Sequence, residues 1–210
     1  IIINYMDILQ KSKTNQRRIG LTGGIASGKT TITNYIRKHK NIPILDADKL
    51  SRELIKPNTY GYKKILDYFG NKIIDNKNDS EKGINRKLLR NIIFKNLENK
   101  VWIEKLLHPL IKQKMIEECS QYNNNQTILL VIPLLFEAKF EDICTEIWLV
   151  KCPKEIQKKR LIARDKISEK EAYEFLNLQL SFEEKRKFSD IILDNSDNQN
   201  KWIKTIRELL

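Results

Sequence analysis

The chain has 210 residues, of which 40% are hydrophobic and 31% charged, enough to bury a proper core in one domain with room for an inserted lobe. Its three cysteines, Cys119, Cys144 and Cys152, are odd in number and lack C-x-x-C spacing, which excludes a disulfide framework and a zinc site and points to a reducing compartment. The longest apolar run, Thr127 to Phe136, is far short of the roughly 18 residues of a membrane helix, so a soluble, cytoplasmic protein is expected, with no membrane partner. The 39 Lys and Arg against 27 Asp and Glu give a formal charge of +12, which suits anionic ligands. The basic residues are dispersed and no Arg stripe with interleaved aromatics accompanies them, so no nucleic-acid partner is expected.

Residues 1–16 lack the charged-then-apolar order of a signal peptide and read as an unstructured extension, leaving 17–210 as the folded domain. The first buried strand is read at Ile19 to Thr22. Directly behind it, Gly23-Gly24-Ile25-Ala26-Ser27-Gly28-Lys29-Thr30 fits the phosphate-loop pattern G-x-x-x-x-G-K-[ST]. The glycines let successive N–H groups of Gly24, Ile25, Ala26, Ser27, Gly28, Lys29, Thr30 and Thr31 face phosphate oxygens. Lys29 reaches the terminal phosphates, and the Thr30 hydroxyl is the candidate Mg²⁺ ligand. An amphipathic helix carrying Ile32, Tyr35 and Ile36 follows, whose positive dipole end favours the same anion. Strand before and helix after are the context the motif needs. A plain Gly-rich turn is the alternative, and the context argues against it.

A second strand, Ile42 to Leu45, leads into Asp46-Ala47-Asp48. In extended geometry the two carboxylates share a face, placed to manage Mg²⁺-bound waters and to accept a proton from an attacking hydroxyl. Asp48 as N-cap of the helix Lys49 to Leu54 is the competing use, and a capping Asp can also face ligand. Arg52, one turn on, could hold an anionic part of an acceptor or pair with Glu53 or Asp48. From Asp48 to about Gln126 the pattern is mainly helical, an inserted lobe of about 48–126 interrupted by a polar loop over Asp75 to Gly83 and another at Asn123 to Asn125. Within it, Asp67-Tyr68-Phe69-Gly70 and Asn76-Lys77-Asn78-Asp79 match two GTPase motifs. Neither follows a buried strand and only positions 71 to 75 separate them, so the match is set aside.

Further strands are read at Thr127 to Ile132, Glu146 to Lys151 and Asp190 to Leu193, giving a doubly wound parallel sheet of α/β class with ligands beyond the strands' carboxyl ends. Glu137, leaving the third strand in Pro133-Leu134-Leu135-Phe136-Glu137, could contact acceptor or a metal-bound water, although an exposed Glu is the default. His108-Pro109 reads as a helix junction. Cys152-Pro153 opens a helix on which Arg160 and Arg164 share a face, and Ser168 to Glu171 is a capping box for the next helix. This stretch, about 160–172, is the candidate lid, bringing arginine to a transferring phosphoryl group; a solvated basic helix face is the alternative. Asn195, in Asp194-Asn195-Ser196 after the last strand, could touch an adenine ring or make an ordinary turn.

These strings in order resemble the dephospho-coenzyme A kinase family: L-T-G-G-I-A-S-G-K-T-T, D-A-D-K-L-S-R-E-L, N-R-K-L-L at Asn85 to Leu89, L-L-H-P-L-I at Leu106 to Ile111, V-I-P-L-L-F-E and L-D-N-S. The resemblance runs from about Arg17 to Leu210. It implies a P-loop kinase-type fold with a five-stranded parallel core, a helical acceptor lobe and a lid, and ATP-dependent phosphorylation of the ribose 3′-hydroxyl of dephospho-coenzyme A with Mg²⁺. Carried over by position, Asp48 resembles the family's base, Lys29 and Thr30 its phosphate and Mg²⁺ ligands, and Arg160 and Arg164 its lid arginines. His108 and Arg86 resemble motif residues on the acceptor side, with Arg52 and Glu137. The partners implied are ATP and dephospho-coenzyme A, with a monomer favoured. Three departures fall in the acceptor lobe: Lys56 to Gly61 lacks the usual Pro-Gly, the Asn78 to Lys82 loop is longer, and Asn85 stands where Asp is common. A kinase for another small hydroxyl acceptor, or an ATP-gated RNA-binding protein, is the rival reading.

Overall fold

The computed structural model describes residues 15–74, 83–197 and 199–210. Five strands, β1 (Arg18–Gly23), β2 (Ile44–Asp46), β3 (Ile128–Val131), β4 (Glu146–Lys151) and β5 (Ile191–Asp194), form one sheet in the order β2-β3-β1-β4-β5. All pairs are parallel, with Leu21 of β1 opposite Val131 on one side and Trp148 on the other. A parallel sheet must be covered on both faces, and the central strands are accordingly buried at nearly every position. On one face, Ile19, Leu21, Leu129, Trp148 and Leu193 pack with Ile32 and Ile36 of α1 (Lys29–His39) and with Trp202 and Ile206 of the C-terminal helix. On the other face Gly20 is needed, because a Cβ there would come within 2.6 Å of the Cys144 Sγ and 2.7 Å of Leu135. The three cysteines are buried and free.

Strands β2, β3 and β5 start one or two residues later than the apolar runs suggest. β2 begins at Ile44 because Pro43 has no N–H to donate, although its carbonyl still accepts from the Leu129 N–H at 2.9 Å. At β5 the Asp190 carboxylate accepts from the Ile147 N–H at 2.7 Å, so a side chain takes the ladder position next to the strand. The expected unstructured extension over 1–16 is corrected at its end. Gln16 is buried, and its amide donates to the carbonyls of Cys119, Tyr122 and Asn123 at 3.1, 3.1 and 3.3 Å. Residues 1–14, the Asn76 to Asp79 motif match and most of the Asp75 to Gly83 loop lie outside the described residues.

The chain divides into two compact units, the second being Ala47–Glu118. That unit ends earlier than the 126 read from the sequence. It holds α2 (Ala47–Leu54), α3 (Tyr60–Phe69), α4 (Arg86–Lys95) and most of α5 (Leu97–Cys119). Its own core joins Ile55, Ile65, Phe69, Ile73, Leu89 and Ile103, with Trp102 stacked on Tyr68 at 3.9 Å between ring centroids. Asn85 caps α4 by accepting from the Leu88 N–H at 3.0 Å, an office that Asn fills as well as Asp. The junction read at His108-Pro109 is not there: Pro109 lies inside the 23-residue helix α5.

Beyond β4 come α6 (Lys154–Asp165), with Pro153 at its N-cap, α7 (Glu169–Asn177), α8 (Phe182–Arg186) and, after β5, α9 (Gln199–Leu209). Ser168 and Glu171 form the expected capping box, and Ser181 with Glu184 forms a second one at α8. Among the described residues no helix is long and apolar enough to cross a membrane.

Candidate active site

β1 delivers the chain at its carboxyl end into the loop Gly23 to Gly28, and α1 starts at Lys29. The backbone takes conformations that few residues other than glycine adopt: φ is +102° at Gly28, and even Ala26 sits at +56°. The loop thus curls around its own N–H groups, with the Ser27 N–H closing on the Gly24 carbonyl at 3.1 Å. The Lys29 ammonium folds back and donates to the carbonyls of Gly23 and Gly24 at 2.8 and 2.9 Å, which holds it over the loop mouth. Thr30, second residue of α1, is exposed with its hydroxyl at the helix N-terminus. No group of three or more His, Cys, Asp or Glu side chains fit to hold a metal exists among the described residues. A single exposed hydroxyl beside a phosphate cradle fits Mg²⁺, which keeps most of its waters and takes its other ligands from phosphate.

Besides Arg160, three side chains that the motif does not contain reach this loop. The Gln179 amide oxygen, between α7 and α8, accepts from the Ile25 N–H at 2.8 Å. Gln157 of α6, held by a 2.6 Å bond to the Cys152 carbonyl, lies so near Gly24 that a Cβ there would meet its amide oxygen at 2.4 Å. Asn195 is buried beneath the loop: its amide donates to the Ser27 carbonyl at 2.9 Å and accepts from the Trp202 indole at 3.1 Å. The sequence leaves Asn195 an adenine contact or an ordinary turn; here its side chain braces the loop. Next to it, the Ser196 hydroxyl donates to Asp194 at 2.6 Å and holds that carboxyl below its usual range.

The two arginines of α6 behave differently. Arg160 directs one guanidinium nitrogen to the Ser27 carbonyl and the Cys152 Sγ, both at 3.4 Å, and so stands at the phosphate loop. Arg164, one turn on, is exposed and bidentate to its neighbour Asp165 at 2.7 and 3.1 Å. Glu137 is only partly exposed. Its carboxylate pairs with the ammonium of Lys185 at 2.8 Å and accepts from the Leu180 N–H at 3.1 Å, tying the turn after β3 to the α7–α8 linker. A cleft of about 410 Å³ opens beside the loop, lined by Gly24, Val150, Cys152, Gln157, Gln179 and Lys185. The S-x-x-E at Ser181 was the readable signal that a helix starts here; nothing local to the sequence marks Gln157, Gln179 or Lys185.

In the second unit, Asp48 is the second residue of α2, which opens at Ala47 directly after Asp46. It is therefore inside the helix, where a carboxylate complements the dipole, and not its N-cap. The shared-face argument for Asp46 and Asp48 also lapses, since the strand ends between them. Asp48 is exposed, with Arg52 one turn away on the same helix. Arg86 is the exposed first residue of α4. His108 is half-buried on α5, and burial pushes its imidazole below the ordinary value of 6.5, with Glu104 pulling the other way.

A five-stranded parallel sheet whose first strand feeds a glycine-rich loop, a lysine over that loop and a helix N-terminus behind it defines a P-loop kinase-type protein. The profile of the dephospho-CoA kinase family matches residues 17–201. A dephospho-CoA kinase of Prochlorococcus marinus is 86% identical over 205 residues, spanning 98% of this chain and 100% of that one. One from Synechocystis is 40% identical over 181 residues, 86% of this chain and 88% of that protein. Among solved structures, the dephospho-CoA kinase of Campylobacter jejuni superposes with a TM-score of 0.62 at 30% identity, covering 91% of this chain and 96% of that chain. A Thermus thermophilus protein superposes with a TM-score of 0.76 at 27% identity, covering 93% and 98%. The chain belongs to the dephospho-CoA kinase family.

Proposed function

We propose that this chain transfers the γ-phosphoryl group of ATP to the ribose 3′-hydroxyl of dephospho-coenzyme A, giving coenzyme A and ADP, the last step of coenzyme A biosynthesis. The observation that carries the reading is an intact phosphate loop, with Lys29 held over its mouth, in a chain that matches the family from 17 to 201. In the reaction the loop N–H groups from Gly24 to Thr31 cradle the phosphates. Lys29 exchanges its two carbonyl partners for phosphoryl oxygens, and the Thr30 hydroxyl holds Mg²⁺. Mg²⁺, when bound, neutralises charge on the β- and γ-phosphoryl oxygens.

Arg160 is the better supported of the two lid arginines, since its guanidinium already stands at the Ser27 carbonyl. Arg164 would first have to leave Asp165. Asp48 accepts the proton of the attacking hydroxyl or orients it; its exposure in the first turn of α2, two residues past β2, supports that role. Phosphoryl transfer passes through a loose transition state, so positioning matters more than the strength of this base. Arg52, Arg86 and His108 are assigned to acceptor binding on their motif positions. Glu137 is assigned there too, although its ion pair with Lys185 gives it a use within the fold that needs no acceptor.

The test is ADP release from purified protein with Mg-ATP, comparing dephospho-coenzyme A, adenosine, a simple sugar and no acceptor. Release confined to dephospho-coenzyme A establishes reaction and acceptor. Release with another acceptor, or none, overturns the assignment.

A further inference from the structure

We infer that Trp202 is a positioning residue for the phosphate loop, acting through Asn195 on the peptide between Ser27 and Gly28. Trp202 lies on the C-terminal helix α9, 1% exposed within the core cluster of the sheet, and its indole donates to the Asn195 side-chain oxygen at 3.1 Å. The other end of the same amide donates to the Ser27 carbonyl at 2.9 Å.

The chemistry of the two partners leaves the amide one orientation. An indole N–H can only donate and a peptide carbonyl can only accept. Turning the Asn195 amide over would set two donors against each other at Trp202 and two acceptors at Ser27. Asn195 is 6% exposed, so water cannot readily make good the mismatch. The indole is therefore what keeps the amide nitrogen aimed at the loop.

The effect on the loop follows from peptide geometry. The Ser27–Gly28 bond is trans and planar, as no cis bond occurs among the described residues, so its carbonyl and N–H point in opposite directions. Fixing the Ser27 carbonyl toward Asn195 turns the Gly28 N–H to the other side of the strand of loop, away from the brace and toward the phosphate cradle. The fit is close: a Cβ on Gly28 would lie 2.0 Å from the Asn195 amide nitrogen. Arg160 supplies a longer second donor to the same carbonyl at 3.4 Å, from the face of α6. A residue at the start of α9 thus sets the direction of one phosphate-binding N–H.

The inference rests on the kinase reading only in taking Mg-ATP as the ligand, and it is tested by calorimetric Mg-ATP binding without acceptor. Trp202→Phe keeps the aromatic packing and removes the N–H. Ile206→Val, on the same helix and in the same cluster, is the control for general loosening of the core. Trp202→Phe is expected to weaken Mg-ATP by about tenfold while Ile206→Val leaves it within about twofold, one lost buried hydrogen bond being enough for that difference. Equal effects of the two variants, or none from Trp202→Phe, overturn the inference. Should Trp202→Phe fail to fold, Asn195→Asp takes its place, since the carboxylate still accepts from the indole but cannot donate to Ser27. It should weaken Mg-ATP at least as much, and unchanged affinity again overturns the inference. In ligand-free protein, faster hydrogen exchange of the Gly28 and Lys29 amides in Trp202→Phe than in Ile206→Val is also expected, and equal exchange rates refute the brace. This readout stands by itself if wild-type protein fails to bind Mg-ATP, a result that would instead refute the kinase reading.

Discussion

Removing the charge of Glu137 while keeping its shape should destabilise the protein far more than an ordinary surface substitution. Lys185 is 1% exposed and Glu137 18%, with 2.8 Å between the ammonium and the carboxylate. Among the described residues no hydrogen-bond acceptor compensates the ammonium in any other way. Glu137→Gln keeps an oxygen for the Leu180 N–H and for Lys185, but leaves a buried cation without a counter-charge. Breaking such a pair from one side costs about 3–5 kcal/mol, and the retained oxygen and partial solvent access place this case near the lower end. At roughly 2–4 °C per kcal/mol for a chain of this size, about 3 kcal/mol lowers the melting temperature by about 6–12 °C. The double variant Glu137→Gln with Lys185→Met removes the stranded charge and should recover most of the loss, because no buried cation is then left without a counter-charge. Thermal unfolding of the three proteins decides. If the double variant is no more stable than Glu137→Gln, the ion-pair account is refuted. A normal melting temperature in Glu137→Gln joined to a large loss of acceptor affinity would move Glu137 into the acceptor site instead.

Asp48→Asn should depress kcat strongly with Mg-ATP affinity little changed; a kcat within about threefold of wild type removes Asp48 from the mechanism. Gln179→Ala frees the Ile25 N–H, which now donates to the amide oxygen at 2.8 Å, and should tighten Mg-ATP roughly two- to tenfold, the worth of one net hydrogen bond that nucleotide no longer has to displace. Weaker binding in that variant would mean that Gln179 itself contacts the nucleotide. Burial lowers the His108 pKa from 6.5, so below that pH the unfolded chain binds the proton more readily and stability falls as pH falls toward the folded-state pKa. His108→Gln should flatten that fall when denaturant midpoints at about pH 7.5 and about pH 5.5 are compared; an unchanged slope would assign it to other groups.

Much of this protein is local and so legible in one dimension. The phosphate loop works through consecutive backbone N–H groups, and eight adjacent letters from Gly23 to Thr30 specify it. Buried parallel strands read as apolar runs, and the capping box at Ser168 satisfies donors three residues away, so both were visible without a partner. The sequence is ambiguous where one residue type serves two ends: Asp48 reads alike as cap or first-turn acid, and Pro109 alike as helix break or tolerated interior residue.

Tertiary structure alone decided what surrounds the loop. Asn195 and Ser27 are separated by 168 positions, Gln179 and Ile25 by 154, and Glu137 and Leu180 by 43. Asparagine, glutamine and glutamate have no periodicity that marks such a use, and on the surface each would look the same. Their roles arise because the sheet order sets β1 between β3 and β4, which carries chain exits remote in sequence to the one edge where the loop forms. Sequence therefore determines that a phosphate can be bound, through backbone geometry encoded by neighbours. Burial and hydrogen-bond satisfaction, which exist only once distant segments pack, determine how that backbone is held.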